Sequence, residues 1–112
     1  MTDDRHSARL TLRDHLTGDV TAKYKVEVLN LSREGARLEH SVSLRPGERC
    51  YLRVRLTDGL VNLPACVIWS RVIGGVGTSG GPLLFHTGVQ FLPLPPQTRS
   101  RLRTFLGDKQ KR

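Results

Sequence analysis

The sequence has few aromatic residues and few cysteines, and each shortage argues against particular kinds of binding site or cross-link. Only 5% of the 112 residues are aromatic, so the stacking platforms that many single-strand nucleic-acid binders use are not evident. The two cysteines, Cys50 and Cys66, are expected on opposite faces of a sheet, which disfavours a disulfide. Their spacing matches no zinc motif, and the four histidines are scattered, so no metal site is predicted.

Long apolar runs are also missing. No segment approaches the roughly 20 apolar residues that cross a bilayer, and the first residues, Met1 to Asp4, are polar and acidic, unlike a secretory signal. We therefore expect a cytoplasmic protein without a membrane span. The length is suited to one domain with a modest core.

Acidic side chains are scarce compared with basic ones. Ten Asp and Glu against 18 Lys and Arg give a net charge of +8, concentrated between Pro95 and Arg112. A basic end of this kind can contact nucleic acid, anionic lipid or an acidic partner, although a solvated helix face with a soluble tail is the preferred explanation. Charge alone therefore does not identify a partner.

Alternation of apolar and polar residues predicts six short strands. They span about 10–16, 20–29, 36–40, 50–56, 60–72 and 83–92. Thr17-Gly18-Asp19 is predicted to turn the first strand into the second, and Asp58-Gly59 is a strong signal for a hairpin between the fourth and fifth. Six such strands favour an all-β fold, namely a closed or nearly closed antiparallel barrel.

A helix is predicted after the last strand. Leu102, Phe105 and Leu106 form one apolar stripe, which we expect to dock on the barrel, with a partner-binding surface as the alternative. Gly107 is a natural helix terminator. The predicted organisation is a flexible arm (residues 1–8), a barrel domain with its helix (9–107) and a basic tail (108–112).

Trp69 is predicted to lie in the barrel core. Alternation along the fifth strand puts it on the same face as Val67 and Ala65. The alternative is a position at the barrel rim, where the indole could stack on a purine.

No pattern of reactive residues indicates catalysis. No Ser-His-acid set has a recognisable nucleophile elbow, and neither cysteine has the basic helix-start setting that activates a thiol. We therefore expect a binding protein rather than an enzyme.

Two short motifs carry the functional prediction. Arg5 and Arg9 stand just before the first strand, and guanidinium binds phosphate or the Hoogsteen edge of guanine through paired hydrogen bonds. Asn30, Ser32 and Gly35 belong to a predicted six-residue connector between the second and third strands. Short polar side chains there can form hydrogen bonds, and glycine permits a positive φ or close approach by another molecule. Taken alone, the connector is also typical of an ordinary turn.

The order RxxxR, first strand, then [DN]xSxxG between the second and third strands resembles the PilZ domain family, from about residue 5 to about residue 106. The resemblance implies a small β-barrel with a C-terminal helix that binds cyclic di-GMP, a bacterial second messenger, and signals through contact with an unidentified downstream protein. It implies no cofactor besides this ligand. The ligand-binding residues that it implies are Arg5, Arg9, Asn30, Ser32 and Gly35.

The arm departs from the family pattern at one position. Members of the family often carry a further Arg directly before RxxxR and then tend to capture two stacked ligands, whereas here that position is Asp4, next to Asp3. A carboxylate disfavours a second dianion, so we predict one ligand per chain. Many members have Asp where this chain has Asn30, whose amide can still pair with a base edge.

Two other functions remain open from the sequence. A small basic barrel could bind RNA or DNA, and its affinity would then fall steeply with salt. A barrel of this family could also bind no nucleotide and act only through protein contacts. Nucleic acid is not the expected partner.

Overall fold

A computed structural model of the chain describes residues 10–11, 16–21, 24–75 and 83–110. The elements in this part of the chain are β1 (Leu10–Thr11), β2 (Thr17–Val20), β3 (Tyr24–Leu31), β4 (Gly35–His40), β5 (Arg49–Leu56), β6 (Gly59–Gly75), β7 (Leu83–Phe91) and the helix α1 (Pro96–Gln110). No helix among these residues has the length and apolar character that crossing a membrane requires.

Six strands close into an antiparallel barrel. Their order is β3-β2-β5-β6-β7-β4, and β4 pairs back onto β3. The short strand β1 is an addition that pairs with the end of β3, opposite Asn30 and Leu31. The predicted fold class, a six-stranded all-β barrel with a C-terminal helix, is confirmed.

Aliphatic side chains fill the barrel, since every second residue of the strands points inward. The inward residues of β3, β5 and β6 are buried in one cluster, and burying each such side chain stabilises the fold by roughly 1.5–3 kcal/mol. They include Val26, Val28, Leu52, Val54, Leu56, Val61, Leu63, Ala65 and Val67.

The helix α1 docks on the barrel through the predicted stripe. Leu102, Phe105 and Leu106 are buried in the same cluster. Arg101 adds a bidentate contact to Asp58, with Nε to Oδ2 and Nη2 to Oδ1 distances of 3.0 Å each. The helix continues through Gly107 to Gln110, so the predicted end at Gly107 is wrong. Glycine costs a helix about 1 kcal/mol relative to alanine but does not break it.

The first turn lies further along the chain than predicted. Thr17, Gly18 and Asp19 belong to β2, and the chain reverses between Val20 and Tyr24, which pair with each other. A Cβ on Gly18 would stand 2.6 Å from the carbonyl oxygen of the neighbouring strand β5. This glycine therefore serves close strand packing instead of a turn.

The β5–β6 hairpin forms at the predicted place. A two-residue turn at Asp58-Gly59 predicts that Leu56 faces Val61 and Cys50 faces Val67, and the observed register differs from this one by two residues. Leu56 pairs with Gly59, and Cys50 pairs with Ala65. A shift of two residues keeps each side chain on its face. Cys50 and Cys66 therefore still point to opposite sides of the sheet, and both are free thiols.

A bulge in β6 moves Trp69 out of the core. The register with β7 shifts between Val67, which pairs with Val89, and Trp69, which pairs with Gly88. Ile68 is the extra residue, so the residues after it change face. Trp69 is half-buried on the outer face, and the prediction that it shares the inner face with Val67 is wrong.

A short polar chain occupies the interior beyond the bulge. His40 Nε2 lies 2.6 Å from Thr87 Oγ1, and Ser70 Oγ lies 2.8 Å from the same oxygen. His40 is 4% exposed. Burial lowers its pKa from the ordinary 6.5, because a charged imidazole loses its hydration in the core.

Stability is therefore expected to fall as the pH falls through the ordinary pKa of histidine. In the unfolded chain this histidine takes up a proton near pH 6.5, whereas in the folded protein His40 is protonated only at a lower pH. The stability that neutral His40 contributes is therefore fully present above pH 6.5 and is lost as the pH falls from there through the lower pKa of the folded state. Urea denaturation at about pH 8 and about pH 5 should show a smaller loss for His40→Gln than for wild type. An equal loss in both proteins would contradict this assignment.

Candidate functional site

The polar motif lies at the β3–β4 hairpin, and its loop is shorter than predicted. Asn30 belongs to β3 and pairs with Arg37, and Gly35 begins β4. Only residues 32–34 connect the two strands. The prediction of a six-residue connector outside the ladder is wrong, because β1 and β4 continue the pairing of β3 as far as Leu31.

The hydroxyl of Ser32 is engaged within this turn. Its Oγ accepts hydrogen bonds from the backbone N–H groups of Glu34 (3.1 Å) and Gly35 (3.2 Å) and donates to the Gly35 carbonyl (3.3 Å). Ser32 is 1% exposed, whereas Arg33 and Glu34 are exposed at the tip. The side chain thus fixes the turn, and a direct ligand contact by Ser32 stays a prediction.

Gly35 is a glycine because another strand passes close to it. A Cβ at this position would overlap with the carbonyl oxygen of Val89 in β7. The glycines with positive φ in the described chain are Gly47, Gly59 and Gly74, so Gly35 does not use a positive φ, which was one of the two reasons considered for a glycine here. Its part in ligand binding stays a prediction.

Asn30 begins a row of residues across the outer face of four strands. It stands opposite Arg37 of β4. Arg37 in turn stands opposite Gly88 of β7, and Gly88 opposite Trp69 of β6. Strands lie about 4.8 Å apart, so the row extends over about 14 Å. We call Asn30, Arg37, Gly88 and Trp69 the outer row.

The indole of Trp69 lies directly on Gly88. A Cβ at Gly88 would overlap with the indole ring, so the glycine lets the ring approach the strand. The guanidinium carbon of Arg71 lies 5.2 Å from the ring centroid, which is a cation–π distance. Two residues further along β4 than Arg37, Glu39 stands opposite His86 of β7, and Glu39 Oε2 and His86 Nε2 are 2.9 Å apart.

Arg37 supplies a positive charge in the middle of the outer row. Its Nε is buried and has no hydrogen-bond partner among the described residues. A buried donor without a partner costs about 1–3 kcal/mol.

The strand β1 connects the arginine motif to this face. Arg5 and Arg9 lie outside the residues that the structure describes. Arg9 directly precedes β1, and Thr11 of β1 pairs with Asn30. The strand that follows the arginine motif in the sequence therefore borders the polar motif.

Sequence reasoning did not identify Arg37 or Gly88 and assigned Trp69 to the core. Arg37 could have been found, since it stands two residues after Gly35 and alternation puts both on one face. Gly88 enters the row through the pairing of β7 with β4, and Trp69 enters it only through the bulge in β6. In the described residues no group of three or more His, Cys, Asp and Glu is placed to hold a metal ion.

The fold and this face define a class of small closed barrel with a mainly aliphatic interior and a candidate binding site on the outer wall. The model of the PilZ domain family matches residues 3–108. The chain belongs to the PilZ domain family.

Solved structures with the same fold include two proteins with bound c-di-GMP. The PilZ domain of YcgR from Escherichia coli with c-di-GMP has a TM-score of 0.72 and 14% sequence identity, over 96% of this chain and 92% of that chain. The K. pneumonia MrkH–c-di-GMP complex has a TM-score of 0.72 and 18% sequence identity, over 100% of this chain and 57% of that chain.

A third similar structure is the inhibitor of motility MotI/DgrA from Bacillus subtilis. Its TM-score is 0.70 at 13% identity, over 99% of this chain and 53% of that chain. This chain thus spans about half the length of the MrkH and MotI chains. At these identities the likeness establishes the fold alone. A search among curated proteins gives no match.

Proposed function

We propose that this domain is a receptor for cyclic di-GMP that binds the ligand on the outer face of β3, β4, β7 and β6 and signals by contact with another protein. The observation that carries this proposal is the pairing of Thr11 with Asn30. It joins the strand that follows RxxxR to the polar motif at one corner of the barrel. The proposed activity is binding and requires no catalytic group.

The two motifs supply complementary chemistry for such a ligand. Cyclic di-GMP has two phosphates and two guanines, and the guanidinium groups of Arg5 and Arg9 suit both. The Asn30 amide can pair with a base edge. Ser32 and Gly35 act by holding the β3–β4 turn in position, through the Ser32 hydroxyl bonds and the close approach of β4 to β7.

The outer row extends the site beyond the motif residues. Arg37 is partly exposed on this face, and its guanidinium offers a positive charge to a phosphate. Trp69 offers an aromatic edge and ring on the same face, and stacking on a base typically contributes roughly 1–3 kcal/mol. The rim alternative for Trp69 is therefore part of this proposal.

Binding is proposed to order the arm, residues 1–8, over the ligand. Ordering costs about 1–2 kcal/mol per residue, and charge-assisted hydrogen bonds of roughly 1.5–3 kcal/mol each offset it only when several form together. The ordered arm and the altered surface would then be read by a protein partner in the bacterial cytoplasm.

Calorimetric titration tests this function. Cyclic di-GMP is expected to bind with a Kd of about 1 μM or tighter and to saturate at one ligand per chain. Asp4→Arg should raise affinity and shift the ratio toward two, since it replaces a repelling carboxylate with a cation. Equal binding of GTP, cyclic AMP or random oligonucleotides would refute the receptor assignment. Saturation of wild type at two ligands would refute the argument about Asp4 alone.

A further inference from the structure

The strand β5 presents a row of arginines on the side of the barrel opposite β4. Its inward residues are buried in strict alternation, so Arg49, Tyr51, Arg53 and Arg55 point outward. Side chains two residues apart on a strand stand about 7 Å apart. The row therefore spans about 20 Å from Arg49 to Arg55.

Among the described residues, only the central arginine of the row has an ion-pair partner. Arg53 Nη2 lies 3.4 Å from Asp19 Oδ2, and Lys25 Nζ lies 3.9 Å from Asp19 Oδ1. Arg49 and Arg55 are exposed, and their side chains make no ion pair or hydrogen bond with the described part of the chain. Two uncompensated cations thus stand at the two ends of the row.

Exposed apolar groups and hollows lie between and beside these cations. Tyr51 is 59% exposed, and Leu60 on the adjacent strand β6 is 49% exposed. One hollow of about 380 Å³ is lined by Thr21, Tyr51, Arg53 and Asn62. A second, of about 300 Å³, borders it at Arg53 and is lined by Thr17, Gly18, Asp19, Lys25, Arg53, Arg55 and Leu60.

We propose that this surface, formed by Arg49, Tyr51, Arg53, Arg55 and Leu60 and here called the β5 surface, docks an extended acidic segment of a partner protein. Since β5 is paired with both β2 and β6, the partner cannot add a strand to it and must be recognised by side chains. Alternate side chains of an extended segment also stand about 7 Å apart. Carboxylates can thus meet the terminal arginines while an aromatic or aliphatic residue enters a hollow.

Nucleic acid is the less suitable occupant. A phosphate backbone is a continuous line of negative charge, and on this surface it would pass the Asp19 carboxylate and the exposed faces of Tyr51 and Leu60. A peptide can place its charges at the ends and an apolar residue at the centre. The proposal does not depend on cyclic di-GMP binding. β5 lies across the barrel from β4, and it pairs only with residues 59–66 of β6, whereas Trp69 of the proposed ligand face lies beyond that paired stretch.

Fluorescence anisotropy tests the β5 surface, with a labelled copolymer of glutamate and tyrosine as the probe. Arg49→Ser/Arg55→Ser should weaken binding by about fivefold to tenfold. The matched control Arg99→Ser/Arg103→Ser removes the same charge from the exposed face of α1 and should change affinity by less than about twofold. Unfolding temperatures close to wild type establish that both proteins are folded.

A further variant separates charge from apolar docking. Tyr51→Ser should weaken binding of the copolymer and leave binding of pure polyglutamate unchanged, because only the copolymer carries a side chain for the hollow. The proposal is overturned by equal losses in the two double variants, by absence of binding, or by random duplex DNA binding more tightly than the copolymer. Titration of Arg49→Ser/Arg55→Ser with cyclic di-GMP should match wild type, and a loss there would overturn the separation of the two surfaces.

Discussion

Replacing Arg9 by alanine is expected to remove most cyclic di-GMP binding while the unfolding temperature stays close to that of wild type. Two lost charge-assisted hydrogen bonds of roughly 1.5–3 kcal/mol each correspond to a decrease of about a hundredfold or more. Arg9→Lys should also bind poorly, because an ammonium cannot reproduce the two parallel bonds of a guanidinium. Calorimetric titration and thermal unfolding of the same samples measure both effects.

The matched control for this variant is Arg99→Ala. Arg99 is an exposed arginine on α1, so its removal changes the net charge equally and should leave cyclic di-GMP affinity unchanged. If Arg9→Ala unfolded the protein, Arg9 would be a structural residue. If it bound the ligand normally, the assignment of the RxxxR motif would be wrong.

Gly35→Ala is expected to destabilise the barrel and to weaken ligand binding together. The added Cβ would overlap with the Val89 carbonyl oxygen, and forcing atoms into a packed site typically costs 1–3 kcal/mol, or roughly 5 °C or more in unfolding temperature. Because the same contact positions the β3–β4 turn, affinity should fall as well. Gly35→Val should have a larger effect on both quantities.

Gly107→Ala is the control for this substitution. Nothing lies within 4 Å of a Cβ at Gly107, and alanine is the better helix former by about 1 kcal/mol, so stability should stay equal or rise. A Gly35→Ala protein with unchanged stability would contradict the close contact of β4 with β7. Normal binding by Gly35→Val would show that Gly35 does not shape the ligand site.

Much of the barrel could be predicted because alternation and turn chemistry are local signals. In the segment from Arg45 to Glu48, Pro at the second position and Gly at the third predict a type II turn. The turn forms with Gly47 at φ 89° and the Glu48 N–H donating to the Arg45 carbonyl at 3.0 Å. The buried helix stripe and the alternation of β5 were equally evident in the sequence.

The errors have one physical cause, which is that a local pattern does not report contacts with distant strands. Glycine serves tight turns and close backbone approach alike. Gly18 and Gly35 were therefore assigned to loops, although each lies in a strand beside a neighbouring carbonyl. The bulge at Ile68 depends on the register of β6 with β7, so the outward position of Trp69 could not be predicted.

The candidate site was predicted from its motif residues and not from its geometry. The motif pattern selected Asn30, Ser32 and Gly35, whereas the pairing of β4 with β7 and of β7 with β6 brought Arg37 and Trp69 to the same face. Contacts of this kind join residues far apart in sequence. Such contacts can be identified only when the strand order and register are known.

Proton–nitrogen NMR during titration with cyclic di-GMP tests the location of the site most directly. Trp69 is the single tryptophan, so its indole N–H is a single resolved reporter. We predict the largest shifts at the Trp69 indole and at the backbone amides of Asn30 and Arg37, and small shifts at Arg53 and Asn62 across the barrel. Large shifts on the β2–β5 side, with an unchanged Trp69 indole signal, would contradict the proposed site.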